Sequence, residues 1–428
     1  MLRRLRKYLG EQRGNVAILF GLAAVPMVMV TGMGIDYGFA LERQTQLNAI
    51  ADAAALAGVS STMMALDQSA SAAAAQRTFN AQASALAGVT YAPADLSVTV
   101  STSGPVRTVN VDYAAKSQNS FPNLLGMTVL PLAGHSSATA GMAPNIDFYL
   151  LLDGSPSMAI AATSAGIDTM VANTSSQGGC AFGCHESHPS SDNLGNPGGE
   201  DNYALARSLG VTLRIDMLRQ AVSNLMTTAQ NTAIKYSSNY RVAQYTFDYQ
   251  LNAVGALTSD LSLAKSESAG IALLQVYANN WLTSSKANSD EDTNFDAALT
   301  GINGLMPNPG SGTNNAGDTP QEVMFFVTDG VEDENYSGSR RQSVLDVNQC
   351  NAIKSRGIRI AVLYTEYLPL PTNAWYNKYI APFQANIAPT MQQCASPGLY
   401  FEVKTGGDIS AALASLFEMA VQTAYLSR

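Results

Sequence analysis

Residues 15–35, NVAILFGLAAVPMVMVTGMGI, run without a single charge; about twenty apolar residues is the length at which a helix crosses a bilayer. Asp36 ends the run, but helical spacing continues through DYGFALERQTQLNAIADAAALAGV, with Leu41, Leu47, Ile50, Ala54 and Ala57 set among small residues. A Ser/Ala-rich stretch, 60–87, reads as further helix. LSVTVSTS (96–103) and RTVNVDYAA (107–115) then alternate apolar and polar positions around Gly104-Pro105, which predicts a hairpin, and TVLPLAGHSSATA (128–140) predicts another strand. From Asn145 the pattern changes again. IDFYLLLD (146–153), YRVAQYTF (240–247), EVMFFVTD (322–329), GIRIAVLYT (357–365) and LYFEV (399–403) are compact, mostly apolar runs. Between and after them, 211–230, 293–306, 344–356 and 408–425 have helical spacing. Such alternation predicts a mostly parallel sheet with helices on both faces.

The division that follows is a basic tail (1–14), a transmembrane helix (15–35), its extension (36–59), a small α+β spacer domain (60–143) and a doubly wound, Rossmann-like α/β domain (144–428) carrying an insertion at 159–210. Arg3, Arg4, Arg6, Lys7 and Arg13 against one acid, Glu11, put the N-terminus in the cytoplasm and the bulk of the chain outside. A cleaved signal peptide is the alternative, but its apolar core would be shorter and would end at a small-x-small site. Pro26 permits a kink in the span, and Gly21, Gly32 and Gly34 permit close helix contacts. The extension packs either on its own domain or on neighbouring subunits. The chain has 428 residues, too many for one core, and only 13% are charged, as is common in exported proteins. Its net charge of −9 argues against a nucleic-acid partner.

GNVAILFGLAAVPMV followed by GIDYGFALERQTQLNAIADAAALAG resembles the N-terminal module of bacterial tight-adherence (Tad) pilus-assembly proteins of the TadE/TadG type, over roughly 14–59. The resemblance implies a single-pass protein of the bacterial inner membrane, with the bulk of the chain periplasmic or extracellular, working with pilus-assembly subunits. A type IV prepilin carries Glu at the fifth position after its processing glycine; counted from Gly14 that position is Leu19, which favours permanent anchoring. The small domain groups no catalytic residue types, and its His135 reads as structural.

In open α/β sheets ligands bind beyond the carboxyl ends of the strands, and there the polar residues of the large domain gather. One strand ends in Asp153-Gly154-Ser155-Pro156-Ser157, another in Thr328-Asp329-Gly330, and Asp292-Thr293-Asn294 opens a helix. Asp153, Ser155, Ser157, Thr293 and Asp329 are all oxygen donors, a set suited to Mg²⁺, Ca²⁺ or Mn²⁺ rather than zinc. The DxSxS run, the distant Thr at a helix start and the T-D-G turn resemble the metal-ion-dependent adhesion site (MIDAS) of von Willebrand factor A (vWA) domains, over 145–424. The resemblance implies that Ser155, Ser157 and Thr293 bind the metal directly, that the two Asp act through water, and that the ion receives an acidic group from a protein partner. The competing reading is that these residues cap helices and form turns. Asp290, Glu291, Asp292, Glu332, Asp333 and Glu334 read mostly as solvated loop charge.

Four cysteines in an exported domain point to disulfides, and the expected pairs are Cys180–Cys184 and Cys350–Cys394. Cys180, Cys184, His185 and His188 have ligand types that also suit zinc, and the run echoes a haem-attachment motif with one extra residue between the cysteines. The insertion that holds them leaves the strand beside the proposed metal edge and is a candidate lid or specificity loop. The chain contains neither a G-x-S-x-G elbow nor a P-loop, so adhesion or assembly is expected rather than an enzyme. A metal-independent scaffold and a metal-dependent hydrolase using Ser155 are the alternatives.

Overall fold

The computed structural model describes residues 15–103, 106–121, 126–141, 143–278, 293–336, 339–367, 369 and 374–426. The basic tail, the Gly104-Pro105 turn and the acids 290–292 lie outside them. The chain forms two compact units, Met1–Gly141 and Met142–Arg428.

The first unit is built on helix α1, Asn15–Gly58, 44 residues long, with Pro26 inside it. Its N-terminal half leaves Val16, Leu19, Phe20, Leu22, Val25 and Val28 exposed, an apolar surface on all sides such as a lipid-facing helix carries. Further along, Leu47, Ile50, Ala51, Ala54 and Ala55 are buried. They pack on helix α2, Gln68–Ala83, and on a sheet of β1 (Leu96–Ser103), β2 (Val106–Gln118) and β3 (Val129–Gly141), to which the two residues Val89–Thr90 add a short fourth strand beside β2, so the extension does cover its own unit. The strands pair antiparallel with β2 in the middle. Alternate residues of β2 (Val109, Val111, Tyr113, Ala115) face the helices, as period-two geometry requires. His135 lies opposite Asp112 across β2 and β3, with Nδ1 2.7 Å from Oδ1.

Arg107 stands in the inward register of β2 and is fully buried. Its guanidinium donates to the Met63 and Leu66 carbonyls at 2.8 and 2.9 Å and to the Ser71 hydroxyl at 2.7 Å. Those carbonyls lie at and just beyond the end of the short helix Ser61–Met64, and the Met63 carbonyl also accepts the Leu66 N–H at 3.1 Å. A buried charge is tolerated here because three acceptors surround the guanidinium.

The second unit is a six-stranded sheet. Its elements, in chain order, are β4 (Ile146–Asp153), α3 (Ser164–Asn173), α4 (Asn202–Ser208), α5 (Arg214–Tyr236), β5 (Tyr240–Phe247), β6 (Leu251–Thr258), α6 (Leu261–Glu267), α7 (Phe295–Leu305), β7 (Gln321–Thr328), the ribbon β8–β9 (Glu332–Tyr336 and Ser339–Ser343), α8 (Val347–Ser355), β10 (Arg359–Thr365), α9 (Ile387–Cys394), β11 (Tyr400–Val403) and α10 (Ile409–Leu426). The strand order is β11–β10–β7–β4–β5–β6. All neighbours are parallel except β6, which runs antiparallel to β5 at the edge.

Every residue of β4 is buried because both its faces are covered. Phe148, Leu150 and Leu152 point to α5 and α10, against Leu218, Leu225 and Phe417. Tyr149 and Leu151 point to α7, α8 and α9, against Phe295, Ile353 and Met391. On that second face Cys350 of α8 is bonded to Cys394 of α9, closing a loop 44 residues apart in sequence. The other expected disulfide does not form: Cys180 and Cys184 are both thiols. Cys180 directs its sulfur to the Phe182 carbonyl, 3.6 Å away, within the turn between them.

Candidate metal centre

The loops after β4 and β7 meet at the carboxyl edge of the sheet, and the Thr293 segment joins the ribbon that follows β7. Asp153 is the last residue of β4, and both its oxygens are used: Oδ1 accepts from the Ser155 backbone N–H at 2.9 Å, and Oδ2 from the Thr328 hydroxyl at 2.6 Å. The second bond ties β4 to the end of β7 directly. The Ser155 and Ser157 hydroxyls lie 2.9 Å apart. Thr293 enters the same edge by its backbone, which exchanges two hydrogen bonds of 2.8 and 2.9 Å with Asp333 at the start of the ribbon. The next residue, Asn294, donates its N–H to the Asp248 carbonyl at the end of β5 and caps α7 through Ala297. Asp153, Ser155, Thr293 and Asp329 are all buried.

Two glycines make the edge possible. A Cβ on Gly154 would stand 3.0 Å from the Ala272 carbonyl oxygen, because the segment after α6 crosses there and Leu274 donates to the Gly154 carbonyl at 2.8 Å. Gly330 has φ +80°, and a Cβ there would lie 2.5 Å from Ile387. Only glycine takes that turn without strain.

The electrostatics are those of a site short of positive charge. Burial pushes the Asp153 carboxyl above its ordinary range, opposed by its hydrogen bonds from Ser155 and Thr328. Burial and the adjacent Asp153 charge push Asp329 up to about 7, while Arg214 and Ser157 pull the other way. One oxygen of Asp329, Oδ2, is buried with no hydrogen-bond partner, an arrangement that costs free energy unless something cationic or protic meets it. Asp248 is pushed up to about 6, by burial first and with Asp153 adding to it. Two carboxylates with hydroxyls between them form a hard-oxygen donor set, and the residues present fit a divalent cation of the Mg²⁺ class.

Two participants carry no metal-ligand signature. Asp248 follows an apolar strand as Asp153 does, and the strand-end rule applied to 240–247 would have found it. Arg214 opens α5, is buried, and donates to the Glu366 carbonyl at 2.8 Å and to the Thr405 hydroxyl at 3.3 Å. Its charge acts on Asp329, and nothing local in the sequence gives this away.

The acids of the ribbon are not solvated loop charge. Glu332 and Glu334 are buried. Asp333 pairs with Arg340, Nε to Oδ1 at 2.7 Å, and Glu334 pairs with Arg341 across the ribbon. The insertion is folded against the site edge. The Ser187 and His188 N–H groups donate to the Val276 and Tyr277 carbonyls at 2.9 and 3.0 Å, and Val276 donates back to His185 at 2.9 Å. His185 is held by Asp201 at 2.8 Å, and His188 stacks on Tyr277. Among the described residues no group of three or more His, Cys, Asp or Glu side chains converges as a metal cluster, so Cys180, Cys184, His185 and His188 do not form the zinc site that their types allow.

The strand order, the antiparallel edge strand and the oxygen-rich carboxyl edge define a vWA-like α/β unit, in a chain that begins with a long apolar helix. Residues 14–61, which include that helix, match the Tad family model, described as "Putative Flp pilus-assembly TadE/G-like". Among solved structures the chain is similar to the vWF domain of the type V pili tip protein Mfa5 from Porphyromonas gingivalis. Identity is 10% over 67% of this chain and 97% of that one, with a TM-score of 0.37. It is similar also to the PilB minor pilin from Streptococcus sanguinis, at 10% identity, 78% of each chain and a TM-score of 0.35. A third is proximal thread matrix protein 1 from the mussel byssus, in a form with a zinc-occupied MIDAS motif, at 10% identity, 65% of this chain, 49% of that one and a TM-score of 0.34. No curated protein sequence matches significantly.

Proposed function

We propose that this chain is a membrane-anchored component of a Tad-type pilus-assembly or surface-adhesion apparatus, and that its α/β unit binds an acidic group of a protein partner through a divalent cation. Ser155, Ser157 and Thr293 would hold the ion directly, with Asp153 and Asp329 behind them, and Mg²⁺, Ca²⁺ or Mn²⁺ would supply an open coordination position for the partner's carboxylate. In this reading residues 15–35 span the inner membrane, the N-terminus is cytoplasmic and the bulk of the chain lies outside. The observation that carries the metal reading is the unpartnered, buried Oδ2 of Asp329 beside the buried Asp153 carboxylate. A cation relieves both the missing contact and the like-charge repulsion.

The buried Arg214 near Asp329 favours a second reading, a metal-independent scaffold in which that guanidinium supplies part of the missing charge. Titration of the full-length chain in detergent with Mn²⁺, followed by electron paramagnetic resonance, separates the two. The metal reading expects one site, weakened at least about tenfold in Asp153→Ala and in Ser155→Ala. Wild-type protein that binds no more Mn²⁺ than Asp153→Ala would leave the scaffold.

A further inference from the structure

In the first unit, the end of the β2–β3 sheet reaches back over the apolar part of α1. Phe121 lies on Gly32: a Cβ added there would stand 3.1 Å from the Phe121 ring. Gly32 is buried under it, although it belongs to the uncharged run that ends at Ile35. Asp36 is four positions beyond Gly32, about 6 Å along a helix. Asp36, the first charge after the run, is also fixed by this strand end, accepting from the Ser120 and Phe121 N–H groups at 2.6 and 3.2 Å. Beside Phe121 a cavity of about 190 Å³ is lined by Met33, Tyr37, Phe121, Met127 and Leu130, with Asp36 and Asn119 at its polar side.

We propose that this strand end is a second membrane contact, with Phe121 and Met127 seated at the boundary between lipid headgroups and acyl chains and the cavity filled by interfacial lipid. The inference rests on the reading that residues 15–35 cross the bilayer. If they do, a side chain packed on Gly32 is at bilayer depth wherever the rest of the unit lies. The exposed groups have the chemistry of that zone. Met127 is 52% exposed, Phe121 38% and Tyr37 61%, and aromatic side chains with a polar neighbour concentrate where bilayer meets water. The depth is bounded on the other side. Asp36 and the buried, unpartnered Oδ1 of Asn119 need water or headgroup donors within reach, which the hydrocarbon centre does not offer. A contact about 5–10 Å into the interface, the depth of amphipathic surface helices, meets both conditions.

The test uses the full-length chain reconstituted in phosphatidylcholine vesicles, with tryptophan placed singly by Phe121→Trp, Met127→Trp or Val25→Trp. Emission is read over the parent's two tryptophans, Trp281 and Trp375, in lipids brominated high or low on the acyl chain. The added emission of Phe121→Trp and Met127→Trp should be lost most to bromines near the headgroup, and that of Val25→Trp to bromines near the chain end. Quenching of Val25→Trp without quenching at 121 or 127 overturns the second contact and leaves the span. Strongest quenching at 121 and 127 by the deep bromines overturns the interfacial depth. Absence of quenching at all three positions removes the span and the contact together.

Discussion

Glu322, Asp147 and Arg241 lie side by side on three adjacent parallel strands, β7, β4 and β5. Arg241 is bound to Asp147, Nε to Oδ1 at 2.7 Å, so Glu322 meets a carboxylate already committed to another cation. Burial, then the Asp147 charge, pushes Glu322 up to about 8 from an ordinary 4.5. The folded state therefore holds this proton more tightly than the unfolded chain does. The stabilisation from the neutral acid is complete below about pH 4.5 and is lost as pH rises through about 8. Glu322→Gln keeps a neutral donor at every pH. Urea unfolding should find it close to wild type at pH 4 and more stable than wild type at pH 8; equal stability at pH 8 would place the ionised carboxylate at no disadvantage. The residue scale is also where the hydrophobic pattern says least. Glu322 sits in an apolar run, and Arg107 and Arg214 occupy buried positions where periodicity expects an apolar side chain. The two arginines are tolerated because distant segments supply their acceptors, the Met63 and Leu66 carbonyls with the Ser71 hydroxyl for Arg107 and Glu366 and Thr405 for Arg214. No local window contains those partners.

At the scale of elements, legibility followed burial on both faces. The strands β4, β5, β7 and β10 are almost wholly buried, and continuous apolar runs marked them. The edge strand β6 was not marked: Leu251–Thr258 is mostly half-buried, its pairing with β5 slips in register, and it carries no clean alternation. The ribbon β8–β9 was not marked either, because charged cross-strand pairs rather than apolar contacts join EDENY to SRRQS. The oxygen-rich carboxyl edge was legible because a topological rule selects strand ends, and the residues at two of those ends were already distinctive. The insertion was legible as a length anomaly only; its spacing did not reveal that Cys180 and Cys184 stay thiols, with the Cys180 sulfur directed to the Phe182 carbonyl. The disulfide between α8 and α9 has an energetic consequence of its own. Closing a loop of 44 residues removes about 4 kcal/mol of denatured-state entropy in the chain-entropy description. The double variant Cys350→Ser, Cys394→Ser should therefore lose about 2–4 kcal/mol of unfolding free energy relative to wild type under oxidising conditions. Dithiothreitol should lower the wild type alone. A wild type indifferent to the reductant would mean that this bond adds nothing to stability.

At the scale of the molecule, the candidate cation and the candidate lipid contact belong to different compact units, and that separation can be measured. A cation that binds only the folded α/β unit stabilises it by RT ln(1 + [L]/Kd), about 2.7 kcal/mol at a hundredfold excess over Kd. The first unit contains none of the five candidate ligands, so it has no share in that term. Calorimetry of the full-length chain in detergent should resolve the gain. With Mg²⁺ the unfolding of the larger unit should move up by several degrees, while the helix-rich unit around α1 keeps its transition. Asp329→Ala should abolish the shift without moving the other transition. Reduction of Cys350–Cys394 offers an internal marker, because it lowers only the transition of the unit that contains both cysteines and so identifies which one the metal acts on. If Mg²⁺ raised the transition that the reductant leaves alone, or raised the larger unit equally in Asp329→Ala, the cation would be acting elsewhere than at the carboxyl edge of the sheet. The unpartnered oxygen of Asp329 would then be part of an interior that tolerates its two raised carboxyl groups by protonation and by Arg214 alone.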